Sequence, residues 1–257
     1  MRFMSRAVKT AEPDARRDRW SAHRAERRGQ FVDAALRVLQ TQGPELPMDA
    51  VAAEAGVSKP VLYRYFSDKA ALIEALGERG SQILLERLLP AIGSDGPVLA
   101  RIRDGVAAYF AVIDEHPNLY WLLARRPGVE ESDAPDAVER DKEVIATALT
   151  RIIGDYLRVY GLDSGGAEPW AYGITGLVQT TGEWWLQRRP MSRAHVVEYV
   201  TQLLWAAFSG LLRAAGIEAD PAKPLPVGRP GLALRTSEPA EGPAAARERG
   251  RLDDGAA

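Results

Sequence analysis

Residues 48–72 read MDAVAAEAGVSKPVLYRYFSDKAAL, and the way this stretch is punctuated decides the fold. Val51, Ala52 and Ala55 fall at i, i+1 and i+4, the pattern of a short helix with one buried face. Gly56 ends that helix, because glycine enters the left-handed conformation at little cost. Only Gly56 and Val57 then separate it from a second helix. Ser58 is a good N-cap, Pro60 lies in the first turn where a missing N–H costs nothing, and Val57 can staple onto Leu62. Two short helices joined this tightly predict a helix-turn-helix.

In the second helix Leu62 and Phe66 share the buried face, which leaves Lys59, Val61, Tyr63, Arg64 and Tyr65 around the remainder. Lys and Arg suit phosphates or guanine edges, Tyr hydroxyls bond phosphate oxygens, and a valine methyl can meet a thymine methyl. An ordinary helix pair with a solvated face has the same geometry. The residues are more specific than the geometry. AVAAEAGVSKPVLYRYFSDKAAL (50–72) resembles the DNA-binding signature of the TetR family of bacterial transcription regulators, with Gly56, Val57, Ser58, Leu62, Tyr63, Phe66 and Lys69 on its characteristic positions. The resemblance implies DNA contacts from Ser58, Lys59, Pro60, Val61, Tyr63, Arg64, Tyr65 and Lys69. It also shows two departures. Pro47 stands where the family commonly has Thr, which removes a hydroxyl suited to phosphate, and Tyr65 stands where it commonly has His, though a phenol still donates a hydrogen bond.

Composition sets the bounds. A chain of 257 residues with 46% hydrophobic content can bury a sizeable core in one or two domains. It has no cysteine, so disulfides, thiolate metal sites and cysteine nucleophiles are excluded, and a reducing cytoplasm is expected. The first 30 residues hold no apolar h-region and no later stretch approaches the ~18 apolar residues of a membrane span. Net charge is only -2, but it is unevenly placed: residues 1–70 carry +4 and the remainder -6. The positive excess accompanies the suspected DNA reader.

Four domains are expected: a flexible Arg-rich arm (1–22), the DNA-binding domain (23–67), a helical ligand-binding and dimerisation domain (68–216) and a disordered tail (217–257). Arg16, Arg17 and Arg19 in the arm suit phosphates or the minor groove, or simply keep a tail soluble. From Arg24 to Gln42, Phe31, Ala35, Val38 and Leu39 repeat at helical spacing. Asp68 is the expected N-cap of a helix running to Pro90, with Gly77 and Gly80 weakening it enough to suggest a bend that transmits a ligand signal. Further helices are predicted over 98–115, 118–125 and 136–160, with an acidic loop at 127–135. The tail is rich in Pro, Gly, Ala and charge, without apolar periodicity.

The last two helices carry the strongest patterns. Trp170, Ile174, Leu177, Thr181 and Trp184 form one seam, and Val197, Val200, Leu204, Ala207 and Leu211 another. An antiparallel pair joined at 188–191 would give a dimer interface through Leu177, Thr181, Val197, Val200, Leu204, Ala207 and Leu211; alternatively both seams are internal. No strand pattern occurs, so the fold class is all-α, a helix-turn-helix three-helix domain followed by a helical bundle. Sites in bundles lie between helices. Tyr109, Phe110, Ile113, Trp121 and Leu149 are expected on a cavity wall, as are Ile152, Tyr156, Ile174, Val178 and Trp184, although each taken alone is better explained by core packing and only the set as a whole suggests a cavity.

Residues 176–211, GLVQTTGEWWLQRRPMSRAHVVEYVTQLLWAAFSGL, resemble the C-terminal half of actinobacterial TetR-type regulators that sense long-chain acyl compounds. The expected partners are therefore a palindromic double-stranded DNA operator, a second copy of the chain and a small hydrophobic effector such as an acyl compound, with no cofactor and no membrane. Repression released by the effector is the expected mode; the alternative is a DNA-binding dimer whose bundle only dimerises or docks a protein. An enzyme is disfavoured, because His23, His116 and His195 are scattered and no metal or nucleophile motif is present.

Overall fold

The computed structural model describes residues 14–125 and 137–225, in which nine α-helices and no strands occur. The helices are α1 (Asp14–Gln42), α2 (Met48–Glu54), α3 (Lys59–Tyr63), α4 (Lys69–Ile92), α5 (Val98–Glu115), α6 (Pro117–Arg125), α7 (Ala137–Val159), α8 (Ala167–Arg188) and α9 (Arg193–Ala214). The acidic loop expected at 127–135 lies outside the described residues, as do residues 1–13 and 226–257.

The punctuation of residues 48–72 folds as its residues require. Gly56 has φ +66°, and beyond it Val57 N–H donates to the Ala52 carbonyl at 2.9 Å while Gly56 N–H donates to Ala53 at 3.0 Å. These are the paired bonds of a Schellman ending, which a side chain at position 56 would strain. Ser58 occupies the N-cap of α3 in an extended conformation, but its hydroxyl makes no capping bond. Asp68 does cap α4, accepting from Ala71 N–H at 2.8 Å.

Two large apolar cores and a small third cluster organise the described chain. The first gathers Phe31, Val38 and Leu39 of α1, Val51 of α2, Leu62, Phe66, and Leu72 and Leu76 of α4. Leu119 and Leu122 of α6 complete it, so the reader is braced by a helix that the sequence reading assigned wholly to the second domain. The second core joins α4, α5, α7, α8 and α9 around Phe110, Ile145, Trp185 and Val200.

Two boundaries and one pair of glycines differ from expectation. Helix α1 begins at Asp14, so Arg16, Arg17 and Arg19 belong to a helix and not to an irregular arm. Residues 14–28 contain no Gly or Pro and are rich in Arg and Ala, good helix formers that carry no apolar stripe. The chain also stays packed after Ala214: Gly216 (φ +76°) turns it, and Leu225 is buried against Val98 and Leu212. One apolar anchor in a polar stretch leaves no periodicity to detect. Finally, Gly77 and Gly80 are accounted for by close approach. A Cβ at Gly77 would lie 2.9 Å from the Ala137 Cβ, and one at Gly80 would lie 3.2 Å from Leu119 Cδ2. Their lack of side chains lets α6 and α7 rest on α4.

Candidate nucleic-acid interface and apolar cavity

The exposed surface of α3 and its caps consists of Ser58, Lys59, Pro60, Tyr63 and Arg64, with Leu62 and Phe66 anchored beneath. Val61 and Tyr65 do not point outward with them. Both are half-buried against the first core, and the Tyr65 ring meets Phe31 edge-on at 5.0 Å between centroids. Each precedes a core residue by one position, so on a helix its side chain lies only about 100° from the buried stripe.

Two lysines of the expected reading face are already engaged. Lys59 Nζ bonds an Asp49 carboxylate oxygen at 3.0 Å across the α2–α3 turn, and this hydrogen bond, with the attraction of the same carboxylate, raises its pKa. Lys69 Nζ donates to the Glu45 carbonyl at 2.7 Å. That carbonyl precedes Leu46, a fully buried residue at φ 45°, a conformation disfavoured for leucine. Lys69 therefore clamps a strained loop. Arg37, bonded to Glu54 at 2.6 Å, ties α1 to α2 in the same domain.

The second core lines a cavity of about 230 Å³ between α4, α5, α7, α8 and α9, with α6 along one side. It follows one face of α5 from Val98 through Arg101, Gly105, Tyr109 and Val112 to His116. At 1.5 Å rise per residue that face is about 27 Å long, so the space is elongated. Its walls are mostly aliphatic, including Leu84, Leu88, Leu149 and Val178.

Of the ten expected wall residues, Tyr109, Ile113, Leu149, Ile152, Tyr156, Ile174 and Val178 do line it. Phe110 instead packs in the core, 5.6 Å from Trp185, and Trp121 packs on Tyr120 at 5.4 Å. Trp184 is exposed. Phe110 adjoins the wall residue Tyr109, and composition alone does not choose between neighbours. Arg101, Asp141, Lys142 and Gln179 were missed on the wall; an arginine interrupting an apolar stripe was the signal available at Arg101.

The polar wall groups are strongly biased. Burial raises Tyr109 well above an ordinary phenol, and burial with the nearby Glu183 pushes Tyr120 up to about 12. Both stay protonated donors near neutrality. The Tyr109 hydroxyl faces Tyr120 but is buried without a hydrogen bond of ordinary geometry. Burial also raises Asp141 and lowers His116.

On α9 the expected dimer row divides. Val197, Val200 and Leu204 are buried in the second core, largely against α5, and are unavailable to a partner. The row divides because α9 is apolar on two faces. Its exposed face carries Tyr199, Leu203, Ala207 and Leu211, and on α8 Leu177 and Thr181 are half-buried beside exposed Trp184. Among the described residues no His, Asp or Glu cluster could hold a metal, and no helix is long and apolar enough to cross a membrane.

Comparison with known proteins agrees with this arrangement. Residues 31–76 match the family described as "Bacterial regulatory proteins, tetR family", and residues 87–218 match "Tetracyclin repressor-like, C-terminal domain". A protein described as an uncharacterized HTH-type transcriptional regulator of Mycobacterium tuberculosis is 34% identical over 208 residues, 80% of this chain and 88% of that one. The HTH-type transcriptional activator FasR of Mycolicibacterium smegmatis is 31% identical over 188 residues, 72% of this chain and 84% of the relative. A solved tetR-family transcriptional regulator from Streptomyces coelicolor is 26% identical with a TM-score of 0.57, covering 74% of this chain and 86% of that one.

Proposed function

The chain belongs to the TetR family of DNA-binding transcriptional regulators, and on that premise we propose that it acts as a homodimeric repressor whose hold on a palindromic operator is released by a slender apolar effector. Two copies of Ser58–Arg64 would enter successive major grooves, with half-sites about 34 Å apart or somewhat more. The observation that supports effector control is the double role of α6. Leu119 lines the cavity and is also part of the reader's core, while Asn118 Nδ2 donates to the Leu39 carbonyl of α1 at 2.7 Å. A ligand that displaces Leu119 acts on both cores, and it shifts the population toward whichever reader spacing it binds more tightly.

The narrow apolar cavity, smaller than the ~300 Å³ at which drug-sized sites begin, suits an extended chain better than a fused ring system. An effector with a long acyl chain fits this shape. The name of FasR favours a second reading, in which the bound regulator activates transcription. Genomic footprinting of the purified protein would supply the operator. Fluorescence anisotropy of that duplex with and without C12–C20 acyl compounds then tests the proposal: release is expected, tightened binding supports the activator reading, and no response with no thermal shift leaves a DNA-binding dimer without a small effector.

A further inference from the structure

Arg101 is a buried charge on the wall of a mostly aliphatic cavity. It is only 9% exposed, on the α5 face that lines the apolar space. Its Nε donates to the Ile92 carbonyl at 3.1 Å, a second nitrogen donates to the same oxygen, and a third donates to the Tyr156 hydroxyl oxygen at 2.6 Å. Among the described residues no carboxylate pairs with it. The Ile92 carbonyl ends α4, and the partial negative charge of a helix C-terminus offsets only part of a full cation. Buried charges are ordinarily paired, because an isolated ion loses far more hydration than neutral acceptors return.

The donor inventory is also incomplete. A guanidinium has five N–H groups, and these bonds occupy three. Tyr156 accepts from Arg101, so its own O–H proton is left to donate, and Tyr156 too lines the cavity. Arginine N–H and tyrosine O–H together offer a carboxylate the charge-assisted pair it prefers. Farther along α5, eight residues or about 12 Å away, the surroundings reverse: Tyr109 and Tyr120 lie near Glu183, and Asp141 adds a further acidic group. Lys142 lines the same stretch but pairs with Glu139, so a carboxylate meets no unpaired cation there as it does at Arg101.

We propose that Arg101 and Tyr156 form the head-group site of the effector cavity, binding the carboxylate of a long-chain fatty acid whose tail runs along α5 toward Leu119. This rests on the effector role proposed above and adds the charge and direction of the ligand. The test is a competition assay on the full-length protein, displacing a fluorescent fatty acid with palmitic acid, methyl palmitate, hexadecanol and palmitoyl-CoA. Palmitic acid is expected to compete at least tenfold more strongly than the ester or the alcohol. Arg101→Gln and Tyr156→Phe are expected to remove that preference while leaving the affinities for the ester and the alcohol within about twofold of their original values.

Because Arg101 also caps α4, the comparison of heads on the unaltered protein stands by itself if Arg101→Gln does not fold. Equal competition by acid and ester, or tighter binding of palmitoyl-CoA than of the acid, overturns the head-group site while leaving an apolar effector in place. A preference for the acid that persists in both variants places the head elsewhere and also overturns it. Failure of every C16 compound to bind overturns both the site and the effector role.

Discussion

Asn118 Nδ2 donates to the backbone carbonyl of Leu39 at 2.7 Å, joining the first turn of α6 to the last turn of α1. It is a side-chain bond from the helix along one side of the cavity to the helix that braces the DNA reader. Asn118→Ala leaves that carbonyl only the longer bond from Gly43 N–H at 3.3 Å, at a net cost of about 1 kcal/mol. For a chain of this size the melting temperature is expected to fall by about 2–4 °C. If α6 transmits the ligand state, operator affinity without ligand stays within a few-fold while the ligand-induced change shrinks. Anisotropy titrations with and without effector read both quantities.

Lys59 and Lys69 both sit on the recognised family signature, but their bonds assign them different work. Lys59 is exposed, and its Asp49 partner can yield to a phosphate. Lys59→Ala is therefore expected to make the slope of log affinity against log salt less negative by about 0.9 per subunit. Lys69 is turned to the Glu45 carbonyl beside strained Leu46, where such a conformation costs roughly 1–3 kcal/mol. Lys69→Met is expected to lower the melting temperature and leave the salt slope unchanged. A slope that changes at Lys69 restores it to the DNA-contacting set.

These two lysines also mark how far the sequence carries. Gly56, Asp68, Leu62 and Phe66 were legible because each answers a local demand of turn, cap or buried stripe. Seven of the ten expected cavity residues were legible for a similar reason, since helical spacing finds a face. Spacing does not say which of two apolar faces is inward on a helix such as α9, where Val200 is buried and Leu203 exposed. That choice is made by packing against α5, distant in sequence. The entry of Leu119 into the reader's core, the clamp from Lys69 to Glu45 and the burial of Leu225 are likewise long-range relations that no short pattern encodes.

His116 gives a pH dependence whose sign is fixed. Burial at the α5–α6 junction lowers its pKa below the ordinary 6.5, the Glu115 carboxylate opposes this, and Arg87 and Arg79 add to it. A base with a depressed pKa in the folded state takes up its proton first when unfolded. Its contribution is thus favourable above about pH 6.5 and is lost as the pH falls through that value. The melting temperature is expected to drop between about pH 7.5 and pH 5.5 by more in the native protein than in His116→Asn, which keeps a polar cap at the end of α5. Parallel thermal scans would show it, and equal slopes for the two proteins would remove His116 as the cause.

The exposed face of α9 bears on whether the chain works as a pair. Leu203 is 55% exposed and Tyr199 58%, with Leu211 on the same helix and Trp184 exposed on α8, an apolar set of the kind that marks an interaction surface. The buried row, Val197, Val200 and Leu204, already serves the subunit's own core, so a substitution at Leu203 can disturb association without opening that core. Leu203→Glu is expected to convert a dimer to a monomer of 28.1 kDa in light scattering while keeping the helical circular dichroism of the native protein. Operator affinity would then fall at least a hundredfold, because each reader would meet one half-site alone and lose the effective concentration that linkage provides. Val200→Glu makes the contrast. A charge there enters the core beside Phe110 and Trp185 and should unfold the bundle outright. If Leu203→Glu remains dimeric and binds DNA normally, the partner must be sought on another face.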